Sequence, residues 1–128
     1  MQSEALLKLA QESLEDLKAR DVQVLDVRGL TSVTDYLLIV SGTSDRHVRS
    51  MADSVTQTAK AAGQTPLGVE GLDAGEWVLV DLVDVVVHVM QPRVREFYKL
   101  EDLWTVGADD SDAKAETPAN ASTKTMGS

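Results

Sequence analysis

The chain has 128 residues, 43% of them hydrophobic, which suits one compact domain and excludes a two-domain enzyme. It contains no cysteine, so disulfide scaffolds, thiolate metal sites, iron–sulfur clusters and cysteine nucleophiles are excluded. With 21 acidic residues against 12 basic ones the net charge is −9, which repels a phosphate backbone unless the bases gather on one face.

Along the chain, residues 2–20 place Leu6, Leu7, Ala10, Leu14 and Leu17 at the three-and-four spacing of an amphipathic helix. Residues 22–28 and 35–41 are short runs rich in β-branched and aliphatic residues, separated by a polar turn, and read as neighbouring strands with the second one central. Val48, Met51, Ala52, Val55, Ala59 and Ala62 then mark a second helix, with Thr43 or Ser44 as N-cap and Gly63 as terminator. Residues 66–70 allow a short strand. Residues 76–81 and 84–90 follow as two strands joined so tightly that they must form an antiparallel hairpin. Pro92 ends the second of these, and residues 93–104 read as a short helix or pair of helical turns. No internal repeat is visible. The order α-β-β-α-β-β-β-α predicts an α/β (α+β) domain: a mixed five-stranded sheet with helices mainly on one face.

The domain is expected to span residues 1–106. Residues 107–128 are rich in Ala, Asp, Ser and Thr and lack large apolar residues except Met126, so they read as a disordered low-complexity tail. The tail's four acids and two bases leave about −7 of the charge on the domain. The longest aliphatic runs, Leu37 to Val40 and Val85 to Val87, fall far short of the ~20 residues a membrane-spanning helix needs. Met1-Gln2-Ser3-Glu4 lacks the basic and apolar regions of a secretory signal. A soluble, cytoplasmic protein is the expectation.

If Leu82 and Val83 form the hairpin turn, Asp81 pairs with Asp84, Leu79 with Val86 and Trp77 with His88. Alternation then gives one face of Val78, Val80, Val85 and Val87, the side that helices cover. The other face carries Trp77, Leu79, Asp81, Asp84, Val86 and His88, is continued by Met90, and is extended by Asp26 and Arg28 from the first strand. That second face has two readings: a docking surface anchored by its aromatic residue, or plain core with His88 hydrogen-bonded beside Trp77. Further along, Phe97 and Leu100 read as packing the last segment onto the sheet. The amphipathic Tyr98 and Trp104 suit a dimer or partner boundary.

Chemistry-bearing motifs are sparse. Ser41-Gly42-Thr43-Ser44 lies between a strand and a helix start, where backbone N–H groups can hold a phosphate. It lacks the Gly-Lys-Ser/Thr of a P-loop and the spacing of a dinucleotide fingerprint, so a tight turn with an N-cap is the simpler reading. A nucleotidyltransferase would need carboxylates converging on magnesium. Among Glu70, Glu76, Asp81 and Asp84, no two stand two apart on one strand, and Asp81 and Asp84 are better placed to cap the hairpin. His47 and His88 are the only histidines, and a zinc site would have to recruit both of them together with a carboxylate. His47 at a helix start reads as a surface or capping residue. No catalytic, metal or cofactor-binding residue is assigned.

Read together, Leu25-Asp26-Val27-Arg28, Thr34-Asp35-Tyr36, Ser41-Gly42-Thr43-Ser44-Asp45-Arg46-His47-Val48, Glu70-Gly71, Glu76 to Asp81, Asp84 to Val89 and Phe97 to Trp104 resemble the ribosomal silencing factor family, bacterial relatives of the plant Iojap protein. The resemblance covers residues 1–105. It implies a nucleotidyltransferase-like fold without the catalytic carboxylates, and a non-enzymatic factor that binds ribosomal protein fourteen of the large subunit. Docked there, family members block joining of the small subunit and repress translation when nutrients are scarce; when free they tend to be homodimers. The resemblance also points to the sheet face around Trp77 as the partner surface, with Leu79, His88, Asp81, Asp84 and Glu76 as its neighbours and little direct RNA contact. Val83 departs from the family's usual glycine in the hairpin turn, and a β-branched residue disfavours the positive φ of tight primed turns. A nucleotide-binding enzyme using Gly42, Thr43 and Ser44 is the alternative.

Overall fold

The computed structural model describes residues 2–98. The tail at 107–128, Leu100 and Trp104 lie outside the described residues. So does the Tyr98 side chain.

Eight elements follow the expected order: α1 (Ser3–Asp16), β1 (Arg20–Asp26), β2 (Tyr36–Ser41), α2 (Asp45–Ala61), β3 (Gly68–Glu70), β4 (Trp77–Asp81), β5 (Val85–Met90) and α3 (Pro92–Tyr98). They build one five-stranded sheet of order β1-β2-β5-β4-β3, in which only β2 and β5 are parallel. β5 is the middle strand; β2, expected to be central, is second in the order, but it is paired on both sides and all six of its residues are buried.

The helix ends have local causes. α1 stops at Asp16, four residues short of the expected end at residue 20, because Lys18 takes φ +63 and the N–H groups of Lys18 and Ala19 donate back to the carbonyls of Glu15 and Leu14. That is a Schellman closure on a non-glycine residue. α2 ends the same way, with the expected Gly63 at φ +89 and Gln64 N–H donating to the Ala59 carbonyl. At its start the Ser44 hydroxyl accepts from His47 N–H at 3.1 Å, a genuine N-cap.

α1 and α2 cover one face of the sheet. Leu6, Ala10 and Leu14 from α1 and Val48, Met51, Ala52, Val55 and Ala59 from α2 pack on Tyr36, Leu38, Val40, Val78, Val80, Leu82, Val85, Val87 and Val89.

Two sequence expectations need correcting here. The hairpin register is shifted by two: Trp77 pairs with Met90, Leu79 with His88 and Asp81 with Val86, so the turn is Val83-Asp84. Leu82 N–H donates to the Val85 carbonyl at 2.9 Å, and Asp84 N–H donates to the Leu82 carbonyl at 2.9 Å around Val83 at φ +74. This is the rare, strained γ-turn. The reason is Leu82, which is fully buried on the helix-covered face. Burying a leucine contributes about 1.5–3 kcal/mol, against about 1–2 kcal/mol for a left-handed L-residue. Burial outweighs the strain. A shift of two preserves which residues share a face, but it removes Asp84 from the strand. The second correction concerns Asp26 and Arg28. Asp26 pairs with Tyr36, a residue of the helix-covered face, and Arg28 reaches Glu4 of α1 at 3.1 Å, so neither extends the second face.

Candidate functional site

The second face of the sheet is built from three rows of cross-strand neighbours. Leu25, Leu37, Val86 and Asp81 form the first, Gln23, Ile39, His88, Leu79 and Glu70 the second, and Ser41, Met90 and Trp77 the third. Leu37, Ile39, His88 and Met90 are buried, whereas Trp77, Leu79, Asp81 and Val86 are half-buried and Glu70 is exposed. The face is therefore apolar at β2 and turns amphipathic across β5, β4 and β3. α3 returns to its Ser41 end, where the buried Arg95 donates to the Ser41 hydroxyl at 3.0 Å and to the Asp21 carbonyl.

Trp77 and His88 meet diagonally. The indole Nε1–H donates to His88 Nδ1 at 3.0 Å, with ring centroids 5.9 Å apart. Nδ1 as acceptor requires the neutral ring with its proton on Nε2, and burial pushes the imidazole pKa down to about 4. His88 is thus a fixed neutral acceptor that sets the angle of the indole. The two readings of this face converge: His88 is the hydrogen-bonded core residue, and Trp77 is an oriented aromatic with part of its surface in solvent.

The carboxylates behave differently from one another. Asp81 Oδ1 accepts Val83 N–H at 2.8 Å, so it caps the hairpin while standing on the second face beside Val86. Asp84 lies in the turn, and its carbonyl accepts the N–H groups of Asp35 and Tyr36, tying the turn to the start of β2. Glu76 pairs with Arg93 at 3.4 Å. Beside that pair Trp77, Val94, Glu96 and Phe97 complete the lining of a cleft of about 620 Å³. Phe97 does not pack the last segment onto the sheet as expected; it is 78% exposed. Its position on a helix of seven residues places it on the outer side, which a periodicity reading of so short a segment does not resolve. Glu70 is a member of the second face that the sequence reading missed, because the β3–β4 pairing that brings it beside Leu79 leaves no local signal.

The alternative phosphate site is filled by the protein itself. Thr43 N–H donates to His47 Nδ1 at 2.9 Å, and His47 Nε2–H donates to the Leu17 carbonyl at 2.7 Å, so the ring staples the β2–α2 turn to the end of α1. Gly42 is required by packing: a Cβ there would sit 2.8 Å from both Met51 Cε and Val48 Cγ2. Among the described residues, no three His, Cys, Asp or Glu side chains gather as a metal site.

Comparison with known proteins gives the family of the chain. The family model described as ribosomal silencing factor during starvation matches residues 1–127. The chain belongs to the ribosomal silencing factor family. The ribosomal silencing factor of Chromobacterium violaceum is 47% identical over 104 residues, covering 81% of this chain and 85% of that protein. A crystal structure of a Chromobacterium violaceum protein, also 47% identical, superposes with a TM-score of 0.81 over 82% of this chain and 88% of the other. A mouse protein named mitochondrial assembly of ribosomal large subunit protein 1 is 38% identical and covers 76% of this chain and 44% of its own length. The α+β architecture with its mixed five-stranded sheet is thus shared with that crystal structure. No helix among the described residues is long and apolar enough to cross a membrane.

Proposed function

We propose that this silencing factor docks on ribosomal protein fourteen of the large subunit through its second sheet face and sterically prevents the small subunit from joining, repressing translation under nutrient limitation. The carrying observation is the oriented Trp77 on a half-solvated face: an aromatic held by His88 loses little side-chain freedom on binding, which is what a hot-spot anchor requires. Leu79 flanks it, and Asp81, Asp84 and Glu76 supply negative charge facing a basic ribosomal protein; such charge speeds encounter and fixes orientation more than it adds affinity. Family membership and the mouse relative's printed name support the large subunit as the target. On this reading the work is steric and needs no catalytic group. The domain at 1–106 carries it, the tail at 107–128 is dispensable for docking, and the setting is the cytoplasm. Free chains pair as homodimers, with Tyr98 and Trp104 at the dimer or partner boundary.

Light scattering of subunit joining tests the mechanism. Saturating protein is expected to abolish the rise in scattering when small and large subunits are mixed, and an unchanged rise rejects the steric reading. Because the foothold is protein and the chain is acidic, binding is expected to weaken only shallowly with salt, in contrast to the steep slope of a phosphate binder.

A further inference from the structure

The end of the sheet away from Trp77 carries a second apolar feature. Three separate connections meet there: the β1–β2 loop, the β4–β5 turn and the segment leading from α2 into β3. Backbone hydrogen bonds tie them together, since the Asp84 carbonyl accepts from Asp35 at 3.0 Å and the Asp81 carbonyl accepts from Leu67 at 2.7 Å. Each presents a large aliphatic side chain to solvent. Val33 is 77% exposed, Val83 43% and Leu67 75%, and Leu30 in the same loop as Val33 is 49% exposed. Single exposed aliphatics are ordinary, but aliphatics on three hydrogen-bonded connections at one sheet end form a rim. One of them is held out at a conformational cost, because Val83 occupies a left-handed position that glycine would fill without strain.

The charge of this rim selects its occupant. Asp35, Asp81 and Asp84 lie on the same hydrogen-bonded connections, and among the described residues no cation lies within ion-pair distance of any of them. Arg28, the nearest base in the β1–β2 segment, is held in a fork by Asp26 at 2.8 Å and by Glu4 at 3.1 Å. Lys60, in the last turn of α2, is the other base at this end. A second copy of this acidic chain would meet the rim with like charge overall; a basic protein segment with aliphatic residues between its lysines or arginines complements it in both respects.

We infer that the rim of Val33, Val83 and Leu67 with Asp35, Asp81 and Asp84 is a second anchor for the basic ribosomal partner, continuous with the Trp77 face through Asp81. The inference rests on the docking reading above. A two-anchor footprint fixes rotation about Trp77, which a steric blocker needs because a factor free to swivel would not occlude a defined joining surface.

The test is co-sedimentation of the full chain with isolated large subunits, using Val33→Ser/Leu67→Ser and, separately, Val83→Gly. The serine pair is expected to weaken binding about tenfold. Val83→Gly is expected to weaken it about threefold while its melting temperature rises, so the loss cannot be ascribed to unfolding. Both variants binding like wild type, while Trp77→Ala does not, overturns the rim and leaves the docking reading standing. Wild-type protein that fails to co-sediment overturns both. A serine pair that turns a dimer into a monomer in analytical ultracentrifugation with ribosome binding unchanged assigns the rim to a second copy and overturns the inference.

Discussion

The two faces of the sheet use the same strands to opposite ends. On the helix-covered face Leu38, Val40, Val78, Val80, Val85, Val87 and Val89 are fully buried in a cluster with Tyr36, Met51 and the aliphatic side chains of α1 and α2. On the other, His88 is buried among Leu37, Ile39 and Met90 while Trp77, Leu79 and Asp81 are half-buried. The first face holds the fold together by area removed from water. The second gives up part of that burial to hold an indole at a fixed angle. The difference shows how a small domain can leave one side of its sheet half-solvated without losing a core.

Truncating a side chain on each face in turn separates the two most strongly. Leu38→Ala, on the helix-covered face, is expected to cost about 2–5 kcal/mol in urea unfolding, whereas Leu79→Ala costs clearly less because its site is already half-solvated. Equal losses would mean that both faces are core. Next in size is a pH effect. The His88 pKa lies near 4 in the folded chain against 6.5 when unfolded, so between these values the unfolded state binds the extra proton and stability falls with falling pH. The full span is about 3 kcal/mol, at 1.36 kcal/mol per pKa unit. His88→Gln keeps an acceptor for the indole and is expected to lack this slope between pH 6.5 and 4; identical pH profiles would contradict the buried neutral imidazole. Smallest is Val83→Gly, which relieves the γ-turn and is expected to stabilise the chain by up to about 1 kcal/mol, read as a higher melting temperature.

Much of the architecture is legible in the sequence, since both covering helices announce themselves by periodicity and four of the strands by their β-rich runs, with the short β3 only allowed, and alternation assigns Trp77, Leu79, His88 and the valines to their correct faces. What escaped local reading has physical causes. The hairpin turn was misplaced because burial of Leu82 outweighs backbone strain at Val83, and a turn-propensity argument sees only the strain. α1 ends early because Lys18 adopts a conformation normally marked by glycine. The face of Asp26 depends on the β1–β2 register, which sets it opposite Tyr36 and which no local pattern specifies. His47 gave no hint of its staple to Leu17, thirty residues away, because such a bond depends on how α1 and α2 come together. Within the candidate site, alternation places Trp77 and His88 on one face and a hydrogen-bonded His88 is one of its two readings, but the diagonal pairing and the direction of the bond carry no local signal.

The central claim is that Trp77 is the anchor of ribosome docking, and co-sedimentation of Trp77→Ala with isolated large subunits tests it most directly, with a thermal melt confirming that the variant is folded. The account predicts that a folded Trp77→Ala loses about thirtyfold or more in affinity, the scale of a binding hot spot. A folded Trp77→Ala that co-sediments as well as wild type would contradict it.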